Sequence, residues 1–360
     1  MRDNTARLTE WVINKIKTEY PDDIALLVAV EGASLNGDGH GEPFDYFVPA
    51  TERGYELSQT FIIGGVGNDL YPRSWERCER TASLDDWATF CLGRAKILYS
   101  RTAADEERFE EIRQKLYRNL KNPEFVYKKA LERLDGAMGM YQTIMFEEKL
   151  YKVRGLAGYI QYYLAMGVAY LNGAYVGESD DWHKGMLPMY AKWKELPESF
   201  LEHYEAILAA KTIGELRSIT HLLIVAVRRF IAARKPVNPH AKSTNYSELA
   251  EWYQELRTTF NRIYHYCETG NSDAAFFDAC SMQNELSIIS EEFDVFYSFN
   301  VGDRFNLKEM DLLGVFDAEN LKPLSKRTAE IEGTIISAIE SNGVTIRRYE
   351  TLDEFLSDAK

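Results

Sequence analysis

Leu8, Trp11, Val12, Ile16 and Tyr20 fall at helical spacing among polar residues, so residues 2–19 predict an amphipathic helix that leads into a first strand. That strand is Ile24–Val30, an uncharged run rich in β-branched residues and bounded by Pro21-Asp22-Asp23 and Gly32. Such a run predicts a buried strand. Four glycines then crowd into residues 31–41, and the chain emerges as a second apolar run, 42–48, carrying one acid near its start, Asp45. Residues 60–63 predict a further strand that ends at Gly64-Gly65-Val66-Gly67, a loop, with residues 68–72 forming a turn. Ser74 is a good N-cap for a helix starting at Trp75. Residues 95–99 give the next strand and residues 105–120 a strongly charged helix, closed by Lys121-Asn122-Pro123.

From Glu124 the period changes. Helical patterns succeed one another at 125–148, 153–171, 182–196, 199–208 and 213–234, with no convincing strand until Val344. Residues 235–244 hold two prolines among small polar residues and mark a linker. Helices are expected again at 246–268, 272–296 and 321–341. Residues 344–349 then predict a late strand of the kind that returns to an earlier sheet, before a last helix capped near Thr351. Residues 155–177 contain no charge, which raises a membrane span. Gln161, Asn172 and the tyrosines of that stretch are a polar load that lipid tolerates poorly, so it is expected to be a buried helix, a core element and not a ligand cage.

At 360 residues and 45% hydrophobic content the chain can bury a sizeable core, in two or three units. Its formal charge of −14 argues against a general affinity for nucleic-acid backbone and suits a cationic small-molecule partner. Four cysteines without CxxC spacing, and an N-terminus unlike a signal peptide, point to a reducing, cytoplasmic setting. The six histidines show no ligand spacing, so no zinc site is expected.

The glycine-rich turn suits positive φ and close approach of backbone N–H groups to a phosphate. A strand, such a turn and a carboxylate at the next strand together make a nucleotide-and-metal pattern. With Gly32-Ala33-Ser34 after the first strand and Glu42-Pro43-Phe44-Asp45-Tyr46-Phe47-Val48 at the second, the chain resembles the nucleotidyltransferase superfamily, in particular the aminoglycoside nucleotidyltransferases of the streptomycin and kanamycin type. Their signature is Gly-Ser after the first strand, Asp-x-Asp at the second and a third Asp on a later strand. Here Asp45 keeps the second acid and Pro43 stands at the first, while residues 95–100, where the third is expected, have none.

The resemblance implies an α+β fold: a small mixed-sheet domain over 1–122, a helical acceptor-side bundle over 123–236, and a C-terminal helical region over 245–360 with one late strand. It implies nucleotide binding by Gly32, Ser34 and Gly37, Mg²⁺ ligation and catalysis by Asp45, help from Glu42 as a substitute carboxylate, and Glu148 as acceptor-site base, with Glu147 and Asp135 as further candidates. The activity implied is transfer of a nucleoside monophosphate from an NTP to a hydroxyl of a small cationic acceptor such as an aminoglycoside. The alternative is an inactive member of the fold that serves in binding or regulation, favoured by the missing acids, because carboxylates fix Mg²⁺ geometry by mutual support. Arg73, Arg77, Arg80 and Arg94 could meet a triphosphate or pair with Glu76 and Glu79. Neither nucleic acid nor membrane is expected as a partner.

Overall fold

The computed structural model describes residues 2–30, 44–178, 185–236, 245–293, 300–302, 305, 307 and 310–358. Ile24–Val30 forms β1, buried at every position. It has a neighbour on each edge, pairing antiparallel with β2 (Phe44–Pro49) and with a strand at Ala95–Ser100. Beyond β2 lies a hairpin of β3 (Gln59–Ile63) and β4 (Val66–Pro72), with β4 parallel to β2. With Ala95–Ser100 as β5, the mixed sheet runs β3-β4-β2-β1-β5. This corrects the loop and turn expected over residues 64–72. Gly64 and Gly65 alone make the hairpin turn, at φ of +56° and +82°, a conformation glycine adopts without steric cost, and the residues after them return as a strand.

Helices cover both faces of the sheet. On one side α1 (Arg2–Glu19) lays Val12 and Ile16 against Leu27, Phe47 and Leu70. On the other, α2 (Trp75–Ala82) begins where the Ser74 side chain accepts the Arg77 N–H at 3.1 Å, a short α3 (Phe90–Gly93) follows, and α4 (Ala103–Leu120) supplies Phe109, Ile112 and Leu116 to Val28 and Val48. The bundle then builds on α5 (Pro123–Phe146) and α6 (Leu150–Leu171), followed by α7 (Met186–Tyr190), α8 (Phe200–Ala209) and α9 (Ile213–Ala232). Of the helix expected over 182–196, residues 182–184 lie outside the described residues, and the remainder is helical only over the five residues of α7. The chain then leaves helical geometry, and Tyr190 stacks on Trp193 at 4.7 Å between ring centroids. The sheet and the bundle share one continuous core from Ala25 to Ile231, and Met1–Pro236 is a single compact unit. Among the described residues no helix is long and apolar enough to cross a membrane, and α6 buries Ile160, Leu164 and Val168 in that core. The architecture is α+β.

Val237–Lys360 is a second compact unit, made of α10 (Tyr246–Thr269), α11 (Ser272–Ile289), a short hairpin of β6 (Glu291–Phe293) and β7 (Asn300–Gly302), α12 (Lys322–Ser341) and α13 (Leu352–Asp358). The helix expected over 272–296 stops at Ile289, where the chain enters β6. The late strand expected over 344–349 has no ladder partner among the described residues. That stretch runs extended, with Ile346 buried and the Arg347 N–H donated to the Gln254 side chain at 2.7 Å.

Two glycines give a paired test of this packing. A Cβ on Gly54 would press into the Asp23 carbonyl oxygen, which is backbone and cannot swing aside, whereas a Cβ on Gly139, inside α5, meets open space. Gly54→Ala is expected to cost about 1–3 kcal/mol, and Gly139→Ala to gain about 0.5–1 kcal/mol. Urea midpoints of the two variants should move in opposite directions.

Candidate functional site

One end of the sheet gathers the last residue of β1, Val30, with the first residues of β2, β4 and β5. Asp45 is the second residue of β2 and is partly buried there. Its Oδ2 accepts a hydrogen bond from the Tyr71 hydroxyl at 3.2 Å and another from the Cys91 thiol at 3.6 Å. Burial pushes the Asp45 carboxyl above the usual carboxylate range, against the pull of those two hydrogen bonds and of the Arg73 charge, and the charge of Asp69 adds to the rise. Asp69 comes from β4: Tyr46 stands level with Tyr71, and counting back along the parallel pair brings Asp69 level with Phe44. The strand expected to carry a further acid, β5, adjoins β1 and not β2.

Behind Asp45 sits a buried cation. Arg73 is 1% exposed, and its Nη2 donates to Thr81 Oγ1 at 2.9 Å and to Asp86 Oδ2 at 3.1 Å. Arg77 Nε shares the same carboxylate oxygen at 2.7 Å, and the Ala88 N–H donates to Oδ1 at 2.9 Å. Burial works to raise the Asp86 carboxyl, yet these bonds and the two arginine charges hold it below the usual range. Arg73 lies over the Tyr46 ring at 5.6 Å, and its Nη1 has no hydrogen-bond partner among the described residues. The Cys91 thiol is pushed up to about 12, by burial first. It is therefore a donor at neutral pH and not a thiolate nucleophile.

Beside this cluster opens a cavity of about 250 Å³, lined by Val30, Trp87, Phe90, Arg94, Tyr162 and Met186 among others. Trp87 and Phe90 meet edge to face at 6.2 Å, the Tyr162 hydroxyl donates to the Trp87 carbonyl at 3.4 Å, and Arg94 donates to the Gly177 carbonyl at 3.4 Å. Aromatic walls with one cation suit a planar, electron-rich ring.

Of the residues singled out in the sequence, Asp45 stands at this site. Gly32, Ser34, Gly37 and Glu42 lie outside the described residues; the strands on either side of them, ending at Val30 and beginning at Phe44, meet at the cavity's edge. Glu148 is exposed between α5 and α6, and Leu150, two residues on, is about 18 Å along the helix from Tyr162. Glu147 accepts the Lys149 N–H at 2.9 Å and pairs with Lys152 at 3.1 Å. Arg77 is engaged by Asp86, and Glu79 pairs with Lys115 at 2.8 Å, not with an arginine of its own helix. Arg73 and Arg94, named in the sequence as possible triphosphate contacts, stand here, Arg73 engaged by Asp86 and Arg94 in the cavity lining; Tyr71, Asp86 and Cys91 were not foreseen as site residues. The Gly64-Gly65 hairpin signal, taken at face value, would have placed Asp69 and Tyr71 on a strand.

A Mg²⁺ site of the nucleotidyltransferase type needs several ionised carboxylates. Among the described residues no group of three or more His, Cys, Asp or Glu side chains is placed to hold a metal ion, and Asp45 is bonded by two neutral donors, with burial raising its carboxyl. The described residues do not by themselves fit that ion.

No family model and no curated protein matches the chain. Among solved structures it is similar to a nucleotidyltransferase-like protein from Exiguobacterium sibiricum 255-15, with 12% identity and a TM-score of 0.35 over 62% of this chain and 75% of that one. At that score the likeness decides neither fold family nor activity.

Two stability effects follow from the charges. Asp86→Ala strands the buried Arg73 guanidinium and is expected to cost about 3–5 kcal/mol in urea unfolding, the range for a broken buried pair. For Asp45 the sign is opposite. A carboxyl whose folded pKa is raised contributes stability below the unfolded value, about 3.9, and that contribution is lost as pH rises through the folded value. Asp45→Asn should therefore raise the Tm at pH 7, with the gain over wild type shrinking as the pH is lowered toward 4; an unchanged or lower Tm at pH 7 would refute the desolvation account.

Proposed function

We propose that Met1–Pro236 is a nucleotidyltransferase-like unit that binds a nucleotide through its base in the cavity of Trp87, Phe90, Arg94 and Tyr162, with transfer chemistry weak or silent. The carrying observation is the state of Asp45: a partly buried carboxyl, bonded by a phenol and a thiol, is a poor partner for Mg²⁺. The aromatic walls support a planar ligand, and Arg94 in the lining supports an electron-rich one. Four free cysteines support a reducing, cytoplasmic setting.

One observation favours the second reading, an active transferase that moves a nucleoside monophosphate from an NTP to a hydroxyl of a small cationic acceptor such as an aminoglycoside. Asp69 lies in electrostatic reach of Asp45, and that reading requires the pair to share Mg²⁺. The net charge of −14 suits such an acceptor and disfavours nucleic acid.

Calorimetric titration with each NTP, with and without Mg²⁺, separates the readings. The binding reading expects affinity that persists without metal and in Asp45→Asn, and that falls about 5- to 150-fold in Trp87→Ala, the scale of one base–aromatic stack. Binding that depends on metal and vanishes in both Asp45→Asn and Asp69→Asn would overturn the metal-free reading in favour of the transferase one. Absence of binding under every condition would overturn both.

A further inference from the structure

The second unit holds a cavity of about 400 Å³ of opposite character, formed where the extended stretch after α12 crosses α10. Arg257 comes from α10, and Arg347 and Arg348 from the extended stretch; Glu332, from α12, is the carboxylate among the lining residues. Three arginines and one glutamate line the hollow, and Glu340 stands outside the lining within reach of Arg348, so cations outnumber acids here in a chain whose formal charge is −14.

Glu332 is fully occupied by the protein. It is 8% exposed, accepts Tyr253 and Arg257 on Oε1, both at 2.7 Å, and accepts Tyr264 on Oε2 at 2.8 Å. Its role is to fix the Arg257 head group at the cavity wall. The other two arginines are positioned by backbone. Ile346 is buried as an anchor, and the Arg347 N–H donates to the Gln254 side chain, which fixes where residues 347 and 348 leave the surface. Arg348 reaches Glu340 only at 3.6 Å, and no carboxylate pairs with Arg347 among the described residues. A sheet ladder would have used these backbone groups differently; here the stretch acts as a strap that delivers two cations to one hollow.

We infer that this hollow in the second unit is a binding site for a dianionic phosphoryl group, free or carried by a small molecule. A phosphate monoester carries about 1.5 to 2 negative charges at neutral pH and calls for the two arginines that Glu332 does not hold, and guanidinium forks match phosphoryl oxygens in bidentate fashion. The volume lies in the range of small-ligand pockets, roughly 300–1,000 Å³.

The test is calorimetric titration of the full chain at about pH 6, where pyrophosphate is close to its dianion, with inorganic pyrophosphate and with succinate as a dicarboxylate of comparable charge. Pyrophosphate should bind more tightly than succinate and lose affinity about tenfold or more in R347A/R348A, the loss expected for charge-assisted bonds. R347K/R348K, which keeps the charge but not the fork, should recover part of it. K322A/K326A removes the same number of charges from α12 away from the hollow and should bind as wild type. The proposal fails if pyrophosphate does not bind, if succinate binds as well, if R347A/R348A retains wild-type affinity, or if K322A/K326A loses as much as R347A/R348A.

Discussion

The arrangement around the sheet end depends on one buried guanidinium. Arg73 follows directly on β4, and its own N–H donates to the Phe47 carbonyl on β2 at 2.8 Å. Its side chain reaches Thr81 near the end of α2 and Asp86 beyond it, while the Tyr46 ring lies beneath and the Tyr46 hydroxyl donates to the Cys91 carbonyl at 2.8 Å. Two strands, a helix and the segment bearing Trp87, Phe90 and Cys91 thus converge on a single cation. A charge taken out of water at this depth is tolerable only with its partners in place, so the cluster forms as a whole or not at all. The aromatic wall of the cavity is placed by electrostatics as much as by packing.

Asp45 sits at the margin of the same cluster on the opposite terms. Asp86 keeps its charge because two arginines and a backbone N–H hold it, whereas Asp45 gets a phenol and a thiol, and burial outweighs them. Two aspartates in one compact unit are pushed apart in proton affinity by the kind of donor each meets. A desolvated acid adds nothing to the stability of the fold at neutral pH, and paired environments that push two acids apart are the pattern from which acid–base sites are built.

What was legible in the sequence follows from which signals are local. The span of β1, the Ser74 cap and the long helices were readable because a run of apolar residues or one hydroxyl specifies them without reference to distant residues. β4 was not, because Asn68, Asp69 and Pro72 carry turn chemistry, and only pairing with β2 and β3 makes a strand of them. Residues 344–349 show the reverse: a strand-like composition is held extended by one buried isoleucine and one glutamine side chain. Of the site, Asp45 was visible through its place after the glycine turn. Tyr71 and Cys91 lie 26 and 46 residues further along, and nothing in their own neighbourhoods announces that they face it.

The position of β1 in the sheet also has a consequence during synthesis. Its seven apolar residues are made first, but the partner on one edge, β5, begins only at Ala95, about 65 residues after Val30. At about 5–20 residues per second that interval is roughly 3 to 13 s. Through it the run Ile24–Val30 presents the composition of an aggregation-prone segment, uncharged, free of proline and strong in β-propensity. The amphipathic α1, already complete and bearing Val12 and Ile16, is placed to shield it, which gives this helix a protective task on the ribosome before it has a sheet to cover.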